Sequence, residues 1–164
     1  MGGLTFTHLD SPVGVLLLVR NEQGLRAISF ERGGEPAPPP AAATRDDRAF
    51  DDIASELGAY FQRRLTEFKV KLNPAGTPFQ RSVWDVLRSI PYGETRSYSQ
   101  VAAAIGRPEA VRAVGTANGA NPLPIIVPCH RVIGTNGSLT GFGGGLTAKR
   151  FLLDLETYAE TLPR

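Results

Sequence analysis

Among 164 residues there is one cysteine, one methionine, one tryptophan and two histidines. A single thiol excludes an internal disulfide and suits a reducing compartment. One Cys and two His also fall short of the usual zinc ligand set, so no metal is expected. Long hydrophobic runs are missing too. VGVLLLV and PIIVP are far shorter than the ~20 apolar residues that cross a bilayer. MGGLTFTHLD lacks the basic-then-apolar build of a secretory leader. These absences together predict a cytoplasmic protein with no membrane partner. What is present, 41% hydrophobic and 21% charged residues, is enough for a cored globular chain.

Net charge is only +2, but it is unevenly spread. Residues 1–78 carry 9 Lys+Arg against 10 Asp+Glu, and residues 79–164 carry 9 against 6. The basic excess lies in the half that holds Cys129, which is compatible with nucleic acid but too small to argue for it alone.

The expected fold class is α/β (α+β). A small N-terminal antiparallel sheet with a helix (residues 1–73) precedes a mostly helical C-terminal domain with a helix-turn-helix (residues 77–164). Segments 4–9, 14–20 and 24–31 alternate or run apolar between the turn signals SPVG and NEQG, as a meander does. GGEPAPPPAAATR (33–45) reads as a mobile loop without a packed core. Phe50, Ile53, Leu57, Tyr60 and Phe61 keep a helical stripe, and Phe68, Val70 and Leu72 alternate as on a strand.

NPAGTP (73–78) is a linker by composition, and Thr77-Pro78 is a helix start. SYSQVAAAIG, capped by Ser97, and PEAVRAVGTANGA, beginning at Pro108, have helix-turn-helix spacing. A glycine-rich loop, TNGSLTGFGGG, then leads to a last helix capped by Thr147.

The sole thiol sits in IIVPCHRVIG beside His130, and a nucleophilic cysteine needs a base or positive charge near it. Arg131 adds charge. Adjacent residues on an extended strand point to opposite faces. Either the chain therefore turns at Pro128, or His130 reaches the sulfur through a water. A carboxylate to orient His130 could come from Asp154 or from Glu156, which lies beyond Leu152 and Leu155 on the inward strip of the last helix.

PCHRV, preceded by GANPLPIIV and followed by GSLTGFGGGLTAKRFLLDLE, resembles the O6-alkylguanine-DNA alkyltransferases. IPYGETRSYSQVA and VRAVGTAN stand in the order that family shows, so the resemblance runs from about Thr77 to Glu156. In residues 1–76 it rests on position and length. The resemblance implies a suicide enzyme that moves an alkyl group from guanine O6 in double-stranded DNA onto Cys129. O4-alkylthymine is left open as a second substrate. His130 would be the base, acting through a water, and Glu156 its orienting carboxylate. Asn121 would tie the recognition helix to the active-site turn. Arg112 would fill the gap left by a flipped base, and Tyr98 would assist rotation and contact the guanine. Small residues beside Arg112 (Ala113, Gly115, Ala117, Gly119) would let the helix approach the minor groove closely. Val132, Phe142 and Gly143 would complete the pocket, with Phe142 where the family often carries Tyr. That replacement leaves backbone N–H groups and Tyr98 as donors to the departing guanine. No cofactor is implied. The protein would be monomeric in solution, with cooperative assembly on DNA left open. Three rivals remain: an alkyltransferase-like lesion sensor that binds without repair, whose members lack the acceptor cysteine; a thiol hydrolase; and a transcription factor using the helix-turn-helix alone, which leaves PCHRV unexplained.

Overall fold

The computed structural model describes residues 3–161. The chain divides into two compact units, Met1–Ala75 and Gly76–Arg164. In the first, β1 (Thr5–Leu9), β2 (Leu16–Asn21) and β3 (Gly24–Ser29) form the expected antiparallel meander. Leu16, Leu17, Leu18 and Val19 are all buried. Successive strand residues point to opposite faces, so both faces of β2 are covered. α1 (Asp51–Phe61) contributes Ile53, Leu57 and Tyr60 to the same core. A 3₁₀ turn, Asp47–Phe50, leads into it, capped by the Asp46 carboxylate accepting from the Ala49 N–H.

Two segments depart from expectation. The Pro/Ala-rich stretch ends in a fourth strand, β4 (Thr44–Arg45), parallel to β1, so the sheet order is β3-β2-β1-β4. Pairing begins only beyond Pro38–Pro40, because proline has no N–H to donate. The Thr44 and Asp46 N–H groups bond Leu4 and Phe6 carbonyls. Conversely, residues 68–72 make no ladder strand. Phe68, Val70 and Leu72 are half-buried with exposed residues between them, but the only pairing is an isolated parallel bridge of Leu72 to Leu25. The Lys69 and Val70 N–H groups go instead to the Glu56 carboxylate. The bridge brings the backbone so close that a Cβ on Gly24 (φ +141°) would lie 2.7 Å from the Lys71 carbonyl, which only glycine avoids.

The second unit contains α2 (Pro78–Arg88), β5 (Arg96–Ser97), α3 (Tyr98–Ala104), α4 (Val111–Gly119), β6 (Val132–Ile133) and α5 (Leu146–Thr161). Both α2 and α3 open on capping boxes, Thr77 with Gln80 and Ser97 with Gln100. α2 buries Val83, Trp84 and Leu87, and the Trp84 indole N–H donates to the Ala117 carbonyl at 2.9 Å, joining α2 to α4. α4 starts at Val111, not at Pro108, because residues 107–110 close a separate turn from the Ala110 N–H to the Arg107 carbonyl. α5 begins at Leu146 after Gly145 (φ +89°), so Thr147 lies inside the helix and does not cap it. β5 and β6 add a short parallel pair to a unit expected to be nearly all helical.

Candidate active site

The PIIVP run is a sequence of turns, not a strand. Ile125 has φ +77°, a conformation that strains a β-branched residue by roughly 1–3 kcal/mol. Asn121 holds this shape from just after α4. Its amide donates to the Val127 carbonyl at 2.8 Å, and its oxygen accepts from the Leu123 N–H at 2.9 Å. The chain then turns at Pro128 into a single 3₁₀ turn, Cys129–Arg131. This resolves the geometric objection raised by adjacent residues on a strand. The three side chains leave a tight helix instead, and all three are buried.

The His130 Nε2 lies 2.7 Å from the Glu156 Oε2, with both side chains inaccessible to solvent. Arg131 grips the same carboxylate, its Nε donating to Oε1 at 2.7 Å and its Nη2 to Oε2 at 3.0 Å. Its Nη1 donates to the Ile90 carbonyl at 2.7 Å, and its guanidinium lies over the Tyr92 ring. Asp154 is exposed, so the carboxylate at His130 is Glu156.

Burial alone would raise the Glu156 pKa, but hydrogen bonds and charge from His130 and Arg131 reverse this and hold it down to about 2. The carboxylate is therefore ionised. Burial lowers the His130 pKa, so the ring is neutral near pH 7. A neutral imidazole beside a carboxylate must donate from Nε2, which puts its lone pair on Nδ1. That Nδ1 is buried and has no hydrogen-bond partner. Burial pushes the Cys129 thiol up to about 11, against an Asn121 hydrogen bond and the Lys149 charge, which both favour the thiolate. The thiol is thus protonated at rest, and the next residue on the same turn carries a buried Nδ1 lone pair.

Lys149, unnoticed in the sequence, is fully buried, with its Nζ donating to the Val132 carbonyl at 2.7 Å and the Thr140 carbonyl at 3.0 Å. Thr140 in turn bonds the Tyr98 hydroxyl through its own at 2.8 Å. Lysine four residues into a helix ordinarily reads as a solvated charge. Only its place opposite one β6 carbonyl and one loop carbonyl makes it structural.

An open cleft of about 670 Å³ brings together Tyr98, Arg112, Gly115, Phe142 and Gly143, with Thr140 on its wall. Val132 does not line it. That side chain is fully buried, and its carbonyl serves Lys149. Ala113 faces a neighbouring groove shared by Arg112 and Phe79. The small residues of α4 also do not form one outer stripe. At 100° per residue, Arg112, Thr116 and Gly119 share the exposed side, whereas Ala117 turns inward against Trp84. Gly115 sits under the Tyr98 ring, where a Cβ would rest at 3.9 Å in ordinary contact. The exposed side of α4 therefore carries one charge, that of Arg112.

Among the described residues no helix is long and apolar enough to cross a membrane, and no group of three His, Cys, Asp or Glu could hold a metal ion. A buried thiol followed by a histidine held on a carboxylate, in one unit with a helix-turn-helix, fits the class of thiol-dependent proteins that work on DNA. Family models agree. Residues 78–158 match the DNA-binding domain of 6-O-methylguanine DNA methyltransferase, and residues 4–74 match its ribonuclease-like domain. A methylated-DNA–protein-cysteine methyltransferase of Methanosarcina acetivorans is 50% identical over 92% of this chain and 97% of its own. The Mycobacterium tuberculosis protein of that name is 52% identical over 92% and 91%. A crystal structure of the Mycobacterium tuberculosis O6-methylguanine methyltransferase superposes with TM-score 0.89 at 48% identity, covering 98% of this chain and 95% of that one. A structure of the Mycobacterium tuberculosis OGT in complex with DNA gives 0.88 at 48%, covering 94% of each. The chain belongs to the 6-O-methylguanine DNA methyltransferase family.

Proposed function

We propose that the protein repairs DNA by direct reversal, taking an alkyl group from guanine O6 in duplex DNA onto Cys129 and keeping it. The observation that carries this reading is the buried turn Cys129–Arg131, with His130 Nε2 held by Glu156 and the ring's lone pair on its buried Nδ1. The Cys129 proton passes through a bridging water to Nδ1, and the imidazolium formed is stabilised by Glu156. The thiolate attacks the alkyl carbon, the carbon–O6 bond breaks, and the electron pair leaves with guanine, which takes up a proton. The product is a thioether, which water does not hydrolyse and which no second cysteine can resolve. One chain reacts once.

O6 cannot be attacked inside the stack, so the nucleotide must be flipped out. Arg112, exposed on α4 at the mouth of the cleft, is suited to fill the gap, and Phe142 supplies an apolar wall for the base. The Tyr98 hydroxyl, bonded to Thr140, acts first by steadying that loop. A sensor that binds without reacting is disfavoured, because it has no use for a thiol with a base built beside it.

Mass spectrometry after incubation with an O6-methylguanine duplex tests the reading. One methyl group on Cys129 and a halt at one equivalent are expected; repeated turnover, or a methyl on another residue, refutes it. Cys129→Ser should bind the duplex within about twofold of wild type but transfer at least ~10³-fold more slowly, since a serine alkoxide is hard to form at neutral pH.

A further inference from the structure

The mechanism above uses Glu156 to orient His130, yet Arg131 makes two of the three hydrogen bonds described to that carboxylate. A buried Glu⁻ with a single histidine partner would raise that histidine's basicity against the burial that lowers it, because an opposite charge at contact favours the protonated ring. A charged ring has no lone pair to accept the thiol proton. We propose that Arg131 is a positioning residue that keeps His130 a neutral, Nδ1-accepting base by sharing the Glu156 charge.

The geometry suits this role. A guanidinium is a planar fork that matches a carboxylate two-on-two, which a lysine cannot do. Oε1 is held by Arg131 Nε, and Oε2 is shared between Arg131 Nη2 and His130 Nε2. The fork is fixed at its far end by the Ile90 carbonyl, just past α2, and by the Tyr92 ring. The ionisable groups facing His130 are Cys129 and Arg131 on its own turn, and Lys149 and Glu156 from α5. Of these, only Glu156 favours the imidazolium; Arg131 and Lys149 oppose it together with burial. Lys149 spends its hydrogen bonds on carbonyls, so of these two cations Arg131 is the one that touches the carboxylate.

This inference rests on His130 being the base, and two measurements keep the two ideas apart. The first is transfer from free O6-benzylguanine, without DNA, as a function of pH. The second is nitrogen NMR of the ring, which needs no reaction; with two histidines, a His8→Asn variant assigns His130. Arg131→Met should move the acid limb of the transfer rate and the His130 titration upward together by about one pH unit or more, tenfold in imidazolium fraction. Most of the lost rate should return as the pH is raised. Arg131→Lys, which keeps a charge without the fork, should shift both by less. Arg131→Met/Glu156→Gln should bring the titration back below the single variant. Should Arg131→Met fail to fold, Arg131→Lys and the double variant decide: a His130 titration unmoved in Arg131→Lys, or raised above wild type in the double variant, overturns the proposal. So does a rate lost equally at every pH. If wild type transfers nothing while His130 titrates as described, the base assignment fails and the charge-sharing stands.

Discussion

The two units of this chain use burial differently. The first buries leucines, isoleucines and aromatics around β2 and α1, and keeps its charged side chains at or near the surface. The second packs an equally apolar core but also buries His130, Arg131, Lys149 and Glu156. Fully burying one leucine stabilises by about 1.5–3 kcal/mol, whereas a buried ion pair often does no better than break even. The charges of the second unit are therefore weak contributors to its stability. They fix protonation states: Glu156 ionised, His130 neutral, Cys129 a thiol. A fold assembled for stability alone would resemble the first unit.

Removing one member from each unit breaks the comparison most sharply. Glu156→Gln leaves Arg131 buried without its counter-charge and should destabilise the second unit by about 3–5 kcal/mol. The single tryptophan, Trp84, lies in that unit, so denaturant titration followed by its fluorescence reads the loss there. Leu18→Ala should cost a similar ~2–5 kcal/mol in the first unit. It should leave the pH dependence of transfer by folded protein unchanged.

Acid should separate the units next. Glu156 ionises near 2 when folded against 4.5 ordinarily, so its stabilisation is present above about pH 4.5 and is lost as pH falls towards 2. His130 acts in the same sense from 6.5 downward, because the unfolded ring binds a proton that the buried ring resists. Cys129 acts at the other end, losing its contribution as pH rises from 9.0 to about 11. Trp84 fluorescence at fixed denaturant should therefore show a plateau between about 6.5 and 9, with a fall on the acid side to which Glu156 contributes on the order of 3 kcal/mol, complete only near pH 2. A flat response to pH 4 would contradict the protonation states assigned above.

Within the second unit, the dry turn and the open cleft should also come apart. Arg112→Ala should slow single-turnover repair of an alkylated duplex by about 10–100-fold, the equivalent of the few kcal/mol needed to unstack a base. Reaction with free O6-benzylguanine, which needs no extrusion, should change less than twofold or so. Equal losses on both would mean Arg112 does not act in flipping. Phe142 is the smallest test. Phe142→Tyr should alter the duplex rate by less than about threefold, whereas Phe142→Ala should weaken positioning through lost stacking worth ~1–3 kcal/mol. A tenfold gain for tyrosine would show that a missing hydroxyl limits the enzyme.

What could be read from residues alone followed how local each signal is. Thr77, Ser97, Pro78 and the Pro128–Cys129–His130 run act on neighbours within four positions, and their elements lie where expected. The strand drawn through Phe68, Val70 and Leu72 failed because alternation reports a half-buried extended segment and is silent on whether a partner strand waits beside it. Thr147 and Pro108 were placed as helix starts by residue type, where backbone turns at Gly145 and Arg107–Ala110 prevail. In the sequence Arg131 reads only as added positive charge, and Lys149 carries no signal. Their partners, Glu156, Ile90, Val132 and Thr140, lie 9 to 41 positions away, beyond any local pattern.

The depth of Cys129 has a consequence for the protein at rest. The thiolate is the form that attacks peroxide and disulfides, and a thiol ionising near 11 is thiolate to only ~10⁻⁴ at pH 7, against a few per cent for an exposed cysteine. With 5% of the residue exposed, even that fraction is poorly reached. A reagent consumed in one event has no means of renewal, so it must stay unreacted among cellular oxidants until its lesion arrives. Burial gives the sulfur that shelf life.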